Sequence, residues 1–466
     1  MTETTASAAG SWRELLGNHL GATVVLAGGV AIYATNEFIT ISLLPSAVAD
    51  IGGQRLYAWV TTVYLVASVM AATTVGPVLT RFGPRAAYLG ALLSFAVGSA
   101  LCALAPTMPL LLVGRVAQGL AGGVLAGLGY AVISAALPDR LWTRASAVVS
   151  AMWGIGTLVG PATGGLFAQF GFWRGGFGLL AILAVAMSLL VPLALPARAA
   201  ADEGLTRTRI PLRSLLLLGM AALAVSVAVL PHSATAIAGL LAVGVALVVV
   251  FFVVDRRVSA AVLPRKAFEP GPLKWIYLTL GLLMAATMVD MYVPLFGQRL
   301  GGLAPVVAGF LGAALSVGWT VGEIASASIT NVRATVRVVA IAPLVMAAGL
   351  ALAAFTQTDR APSGVVVLWA LALVITGAGI GMAWPHLSAW AMGAVVDDPA
   401  QQAVAAAAIN SVQLMCGAFG AGLAGVVVNL RAAPDATASS LLFGAFAVLA
   451  AVGSVASYRS GRGRAQ

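Results

Sequence analysis

The chain has 466 residues, of which 61% are hydrophobic and only 9% are charged, and its formal net charge is +10. Because soluble domains carry about 25% charged residues, this composition excludes a water-soluble globular protein. Apolar runs of roughly 20 residues predict membrane-spanning helices, whereas a β-barrel would show alternating segments of about 10 residues. Cys102 and Cys416 lie inside apolar runs without metal-binding or redox spacing.

The first half of the chain predicts a cytoplasmic tail followed by six spans. The tail covers residues 1–19, and an N-terminal six-helix bundle covers residues 20–195. A linker over 196–272 contains two additional predicted spans, 212–230 and 234–254, for which a re-entrant or interfacial hairpin is the alternative. The six spans of the first bundle are predicted at 20–45, 57–80, 86–105, 108–137, 142–168 and 174–195.

The second half predicts another six-helix bundle over residues 273–457 and a cytoplasmic tail over 458–466. The predicted fold is therefore an all-α membrane protein with 14 transmembrane helices, arranged as two pseudo-symmetric six-helix bundles with two extra central helices. The six spans of the second bundle are predicted at 273–297, 302–328, 337–356, 363–392, 400–428 and 438–457.

Most of the 25 Lys and Arg residues fall in loops on the side of the two termini. By the positive-inside rule, both termini are expected in the cytoplasm of a bacterial cell, with the chain in its inner (plasma) membrane. Charge spread over many loops is an orientation signal, so nucleic acid is not an expected partner.

The loop between the second and third predicted spans runs from Gly76 to Arg85 in the sequence GPVLTRFGPR. It resembles the cytoplasmic loop signature of the major facilitator superfamily, although Thr80 stands where an acidic residue is usual and Pro84 replaces a basic one. The resemblance implies a role in conformational change for Gly76, Arg81, Gly83 and Arg85.

Two span motifs carry the same resemblance. Arg115, followed by Gln118-Gly119, looks like the fourth-helix signature. Span five reads GTLVGPATGG from Gly156 to Gly165 and resembles the antiporter signature of the superfamily. Small residues at this spacing allow a neighbouring helix to approach closely, and proline bends the helix. A conformational role is therefore expected for Gly156, Gly160, Pro161, Gly164 and Gly165.

Fourteen spans with an extra central pair resemble the 14-helix drug:proton antiporter branch. This resemblance implies transport of a small-molecule substrate by a monomer in membrane lipid, with the proton gradient as energy source and no bound cofactor. No nucleotide-binding loop, metal-ligand cluster or nucleophile motif occurs, so the chain is not expected to be an enzyme.

Acidic residues inside the predicted spans are the candidates for proton coupling and substrate binding. They are Glu37, Asp290 and Glu323. Burial favours the neutral form of a carboxyl group, and the ionised form can hold a cation, so proton and cationic substrate can compete for one group. Glu323 has the alternative of pairing with the loop residues Arg333 or Arg337.

Arg115 is the fourth candidate, as a carboxylate partner in the proton path or as a structural anchor. Met284, Met288 and Met291 share a predicted helix face near Asp290, which suits lipophilic cations or simple packing. The full set of predicted cavity-lining residues is Asn36, Thr40, Gln118, Trp153, Met284, Met288, Met291, Asn410 and Gln413.

The sequence thus predicts a secondary active transporter that exports lipophilic, cationic small molecules by proton antiport and alternating access. The features of the chain fit a multidrug-efflux protein with a role in antibiotic resistance. An exporter or flippase of a lipid or endogenous metabolite is the alternative, because it would share these features.

Overall fold

The computed structural model describes residues 11–196, 210–231, 233–258, 260–329, 331–395, 399–430 and 434–462. Side chains 134, 143 and 399–403 are not among the described ones. Residues 1–10 of the predicted N-terminal tail, the linker residues 197–209 and residues 463–466 of the predicted C-terminal tail lie outside the described residues.

The described chain is built from α-helices joined by short connections. The helices are α1 (Trp12–Gly17), α2 (Leu20–Ile51), α3 (Trp59–Ala72), α4 (Val75–Ala103), α5 (Met108–Ala131), α6 (Ile133–Ala136), α7 (Trp142–Gln169), α8 (Trp173–Ala194), α9 (Leu212–Val227), α10 (Ala234–Asp255), α11 (Leu273–Thr287), α12 (Val293–Gly301), α13 (Pro305–Ala327), α14 (Val332–Phe355), α15 (Ser363–Gly393), α16 (Pro399–Asn429) and α17 (Asp435–Gly461).

Within the described ranges, 13 helical stretches are long and apolar enough to cross a membrane. The helix α9 is apolar but shorter, with 16 residues. Most other helix boundaries fall close to the predicted span boundaries. The exception is the region of the predicted spans 57–80 and 86–105, where α3 ends at Ala72 and α4 begins at Val75 and is bent at the non-helical Gly83. The chain is therefore a multi-pass, all-helical membrane protein.

The predicted continuous span 273–297 is interrupted in the structure. The helix α11 ends at Thr287, a 3₁₀ turn covers Met288–Tyr292, and α12 continues from Val293. Pro294 provides a physical reason, because proline lacks the backbone N–H that would bond to the carbonyl four residues earlier. That carbonyl belongs to Asp290, so the break lies at a candidate site residue.

The region predicted as an N-terminal tail contains the short helix α1. Ser11 caps it by accepting a hydrogen bond from the Glu14 amide (3.0 Å), and Leu15 has no exposed surface. Arg140 Nε donates to Glu14 at 3.1 Å, and this guanidinium lowers the pKa of the Glu14 carboxyl. The helix is thus fixed to the connection before α7.

The two ends of the helix bundle differ in charge. The end of α2 lies beside the start of α13, since a Cβ on Gly309 would lie 2.8 Å from Ser42 Oγ. The helix α17 runs antiparallel to α14, with Ser440 Oγ donating to Ala354 O at 2.8 Å. Hence α2 begins and α17 ends at the same end, which we call the basic end; the opposite one is the far end.

The Lys and Arg residues are concentrated at the basic end. Among the described residues, the basic end carries Arg13, Arg81, Arg85, Arg140, Arg144, Arg213, Arg256, Arg257, Arg265, Lys266, Lys274, Arg333, Arg337, Arg459 and Arg462, and the far end carries Arg55, Arg174, Arg299 and Arg360.

The long helices pack in two groups. Helices α2–α8 contact mainly one another, as do α11–α17. We call these the N-terminal and C-terminal groups. They meet along two seams, one between α7 and α13 and the other between α3 and α16, while α9 packs against α3 and α16 and carries α10 on its outer side.

Close contact between α2 and α7 depends on the glycines of the span-five motif. A Cβ on Gly156 would lie 2.9 Å from Ala34 Cβ, and one on Gly164 would lie 2.8 Å from Ile39 O. A Cβ on Gly160 would overlap the Cβ of Phe38. The two helices therefore touch nearly backbone to backbone, as small-residue interfaces in membranes allow.

The substitution Gly160→Ala is expected to lower the thermal unfolding temperature of the detergent-solubilised protein. The added methyl group must push α2 and α7 apart, and overpacking of this kind costs about 1–3 kcal/mol. Gly154→Ala is the matched control on the same helix, because a Cβ there meets nothing within 4 Å. An equal decrease of the unfolding temperature in both variants would contradict the close contact between α2 and α7 at Gly160.

Candidate functional site

A buried arginine organises the centre of the N-terminal group. The Arg115 side chain on α5 is 1% exposed. Its Nε donates to Val60 O (3.1 Å), and one terminal nitrogen donates to Asn36 Oδ1 (3.1 Å), Thr40 Oγ1 (3.2 Å) and Gln118 Oε1 (2.8 Å). The charge is therefore bound by neutral oxygens from α2, α3 and α5.

Aromatic rings extend this network. The Arg115 guanidinium lies 4.1 Å from the centre of the Tyr64 ring, a cation–π contact that is strong when desolvated. Tyr64 stacks on Tyr33 with ring centres 5.9 Å apart, and Trp153 meets Tyr33 edge-on at 5.6 Å. A column of three rings thus connects the buried charge to the half-buried Trp153 on α7.

The network also includes α4. Gln118 Nε2 donates to Ser99 Oγ at 2.8 Å, and both side chains have no exposed surface. Asn36, Thr40 and Gln118, which were predicted to line a cavity, are buried around Arg115 in this conformation. Their polar atoms are taken up by the charge, because a guanidinium in an apolar medium needs several acceptors.

The possibility that Arg115 pairs with a carboxylate does not match the described contacts. Within the described ranges, the ion pairs shorter than 4.0 Å join Glu14 to Arg140, Asp50 to Arg174 and Asp435 to Arg299. Glu37 lies near enough for its charge to act on Arg115, but through space and without a direct bond. The Arg115 charge is thus stabilised by neutral acceptor groups of the protein and not by a paired carboxylate.

Glu37 and Asp290 approach each other from the two groups. Both side chains are half-buried. The elements that carry them both contact α13, where a Cβ on Gly312 would lie 3.8 Å from Asp290 O and one on Gly309 would lie 2.8 Å from Ser42 Oγ of α2. Glu37 follows Asn36 of the Arg115 network, whereas Asp290 lies on the 3₁₀ break between α11 and α12. One intramembrane carboxyl group thus comes from each helical group.

The far side of this site is closed by aromatic residues. Tyr57 and Tyr292 stack with ring centres 4.7 Å apart, and each is at most 1% exposed. Tyr57 Oη donates to Met291 O at 3.1 Å, across the two groups. Beyond them, a cleft of about 360 Å³ opens at the far end between Gln54, Gln298 and neighbouring residues. The closure lies within two residues of Asp290.

Glu323 lies away from this pair, in the basic half of α13. Its Oε2 accepts a hydrogen bond from Trp319 Nε1 at 3.1 Å, and the side chain is half-buried. Pairing with Arg333 or Arg337 was the expected alternative, but the described ion pairs include neither residue. The Glu323 carboxylate instead bonds to Trp319, which lies four residues earlier on the same helix face.

The three methionines were predicted to form a cavity wall or simply to pack, and they are buried in this conformation. Met284, Met288 and Met291 are 8%, 4% and 0% exposed. The break at Met288 disrupts the predicted shared face, and the Met284 and Met288 side chains pack against the α16 glycines Gly417 and Gly420. These methionines act as filler between α11 and α16 in this conformation.

The remaining candidates divide by exposure. Asn410 on α16 is exposed and Gln413 is half-buried, and their place in a cavity wall stays a prediction.

The predicted loop motif forms a turn at the basic end. Gly83 has φ 77° and ψ 168°, a conformation that favours glycine. After this turn, Arg85 Nε donates to Leu195 O at 2.9 Å, the carbonyl that follows the last turn of α8. Gly76 is half-buried, and Arg81 is exposed with its guanidinium 5.5 Å from the Phe82 ring centre. The motif thus joins α4 to the end of α8.

Sequence reasoning did not assign Tyr57, Tyr64, Ser99 and Tyr292 to the site. One signal pointed to Tyr64: an arginine inside a span needs partners, and an aromatic residue on a neighbouring helix can supply one. No sequence signal pairs Tyr57 with Tyr292, because that contact joins residues far apart in the chain.

The fold and this polar centre between two helical groups define a multi-pass membrane protein with an internal site. Residues 26–424 match the sequence profile of the Major Facilitator Superfamily. The chain belongs to the Major Facilitator Superfamily, a family of transporters of small molecules and not of enzymes, as its motifs predicted.

Relatives agree with this assignment. The chain is 61% identical over 464 residues to a protein named "Probable multidrug-efflux transporter" in Mycobacterium tuberculosis, covering 99% of this chain and 98% of that protein. It is 28% identical over 295 residues to a multidrug efflux pump of Staphylococcus aureus, covering 61% of this chain and 63% of the pump. The crystal structure of a nucleoside transporter matches with a TM-score of 0.67 and 15% identity, over 95% of this chain and 99% of that one, which shows the shared fold.

The substitution Arg115→Lys is expected to destabilise the protein by at least about 2 kcal/mol, since hydrogen bonds to a charged group contribute about 1.5–3 kcal/mol each. A lysine has no planar fork to reach acceptors on three helices at once. The measurement is the thermal unfolding temperature in detergent. Arg337→Lys, at an exposed position of the basic end, is the control. If both variants unfold at the wild-type temperature, the network does not stabilise the group.

Proposed function

We propose that this chain is a proton-coupled antiporter that exports lipophilic, cationic small molecules. The observation that carries the proposal is the Glu37–Asp290 pair, with one carboxyl group from each helical group. Intramembrane carboxyl groups that face a bundle interior mark ion and substrate pathways. The names of the relatives in M. tuberculosis and S. aureus support drug efflux as the direction of transport.

The mechanism follows from competition at these carboxyl groups. A cation that enters from the basic end binds the ionised pair, and the bound proton leaves to that side. When the groups rock so that the far end opens, a proton from the far side protonates the pair and the cation dissociates. The proton gradient thus supplies the energy without a cofactor, and Trp153 offers the cation an aromatic face on the way.

Alternating access requires a site that opens to one side at a time. In this conformation the far end is closed by Tyr57 and Tyr292, and Asn410 near the basic end is exposed. Opening the far end would break the tyrosine stack and the contact of Arg299 with Gln54 (3.4 Å). Few polar bonds join the groups there, so few must be broken when the far end opens.

The proposed topology has 14 spans, with α9 as the shortest, arranged as two pseudo-symmetric six-helix bundles and a central pair. The surplus of Lys and Arg at the basic end supports a cytoplasmic position for that end and for both termini. The protein would then act as a monomer in the plasma membrane of a bacterium. The Arg-rich basic end and the even number of spans support this orientation together.

The substitutions Glu37→Gln and Asp290→Asn are expected to slow gradient-driven movement of tetraphenylphosphonium in proteoliposomes at least about tenfold, since loss of about 1.4 kcal/mol in binding changes affinity by that factor. An amide can neither release a proton nor hold a cation by charge. Asp359→Asn, at an exposed far-end position, is the control and should transport normally.

Counterflow of labelled probe at equal pH on both sides separates the two roles. A variant that keeps counterflow but ignores the pH gradient has lost proton coupling, whereas one that loses both has lost the substrate site. If both variants match Asp359→Asn under the gradient, antiport through this pair is wrong. If wild type moves only lipid or an anionic metabolite, the alternative cargo class replaces the cation.

The topology is tested by labelling single cysteines with a membrane-impermeant maleimide, in a background without Cys102 and Cys416. Ser233→Cys and Ser363→Cys are expected to react on intact cells, because both positions are exposed at the far end. Ser328→Cys, exposed at the basic end, is expected to react only after permeabilisation. A Ser233→Cys variant protected on intact cells would show that α9 does not cross the membrane.

A further inference from the structure

The two seams between the helical groups differ in a way that bears on how substrate reaches the site. Along the first seam, α7 and α13 cross tightly near the far end. A Cβ on Gly165 would collide with the Val306 backbone, and one on Gly309 would lie 3.3 Å from Pro161 O. The contact faces of the two helices are therefore defined by residues 161–165 of α7 and 305–309 of α13.

The same face of α7 is exposed further toward the basic end. Residues at spacings of three and four from Pro161 continue that face, and each of them is exposed: Leu158, Gly154, Ala151 and Ala147. Leu158 is 60% exposed. This face of α7 packs against α13 near the far end, but it is not covered by α13 further toward the basic end.

The helix α13 behaves in the same way. Beyond the buried Ala313, its face toward α7 continues through Thr320, Ile324 and Ala327, which are all exposed. Ile324 is 68% exposed. The two helices thus diverge from their crossing, and the first seam opens sideways in the half of the membrane nearest the basic end.

The second seam, between α3 and α16, is covered by α9. Ser226 of α9 is buried there: its backbone oxygen accepts from Trp59 Nε1 (3.0 Å), and its Oγ donates to Thr62 Oγ1 (3.2 Å). A Cβ on Gly422 of α16 would lie 2.9 Å from Ser226 Oγ. Toward the basic end, Leu215 of α9 has no exposed surface. The extra helix pair therefore fills the membrane side of this seam.

The walls of the open seam have a distinct chemistry. The exposed positions named above on both helices carry apolar or small uncharged side chains. Half-buried Trp153 is adjacent to Gly154, and half-buried Glu323 is adjacent to Ile324. An apolar molecule with a positive charge would meet an apolar entrance first and then an aromatic ring and a carboxylate.

We infer that the diverging basic halves of α7 and α13 form a lateral portal through which a lipophilic cation enters from the bilayer, while α9 and α10 close the equivalent route between α3 and α16. The inference rests on the proposed export of lipophilic cations and adds their entry route. It also gives the additional helix pair a role, since that pair confines entry to one side of the protein.

The test narrows the portal from each wall with Gly154→Trp and Ile324→Trp. A side chain at Gly154 meets no atom within 4 Å of its Cβ, so the indole is accommodated without a clash at that point. Gly90→Trp on α4 is the matched control, because Gly90 is also exposed and has open space around its Cβ. Tetraphenylphosphonium is the probe in both of the following measurements.

Equilibrium binding is measured in detergent, where the probe reaches the site from water, and transport is measured in proteoliposomes, where it partitions into the bilayer. Both portal variants are expected to bind with a Kd within about twofold of wild type, and to show a KM for transport raised about fivefold or more, because the entry step is obstructed. Gly90→Trp should match wild type in both measurements.

Portal variants that transport like Gly90→Trp would overturn the lateral route. The route is also wrong if both variants lose binding in detergent to the same extent as transport, since the substitutions would then act on the binding site. A wild-type protein that neither binds nor moves the probe would instead overturn the proposed function, which is a separate result.

Discussion

Burial of one guanidinium in the membrane constrains the whole N-terminal group. Arg115 is 1% exposed, and its charge has to be solvated by the protein because lipid offers no acceptor. Its partners come from α2 and α3, and through Gln118 and Ser99 the network reaches α4. Moving any of these helices alone would leave a charge unsolvated, so the four move together. Glu37, directly after Asn36, is carried on that rigid unit.

Rigid groups need a contact about which they can rock, and the glycine-lined crossing of α7 and α13 fits this need. Backbone-to-backbone contact at Gly165 and Gly309 has few side chains that must repack when the crossing angle changes. The opposite contact, the Tyr57–Tyr292 stack, is a single aromatic pair with one hydrogen bond, to Met291 O. A firm crossing and a weak closure at the same end are what a molecule that opens and closes around a central site requires.

Much of this arrangement could be predicted from the sequence, since apolar runs and loop charges depend only on local composition. The spans, the intramembrane Arg115 and the glycine spacing in α7 could all be identified in that way. Contacts between residues far apart in the chain could not be predicted. The Met284 stripe assumed a continuous helix, whereas the helix breaks after Thr287 and the Met284 and Met288 side chains lie against α16. Pairing with Arg333 or Arg337 was the predicted alternative for Glu323, but its carboxylate accepts a hydrogen bond from Trp319, four residues earlier on its own helix.

The two carboxyl groups of the site are held in unlike ways, and this difference bears on mechanism. Glu37 sits on a regular stretch of α2 that the Arg115 network fixes, so its position follows the N-terminal group. Asp290 sits on a 3₁₀ turn, whose hydrogen bonds have poorer geometry than those of an α-helix and which often marks a hinge. In the C-terminal group, α13 and α15 are joined by glycine contacts at Gly322 and Gly381 instead of a buried charge. Under the proposed antiport, a change of charge at the site would meet a fixed wall on one side and an adaptable one on the other. Protonation would then be converted into movement most readily at the break between α11 and α12, next to the tyrosine closure.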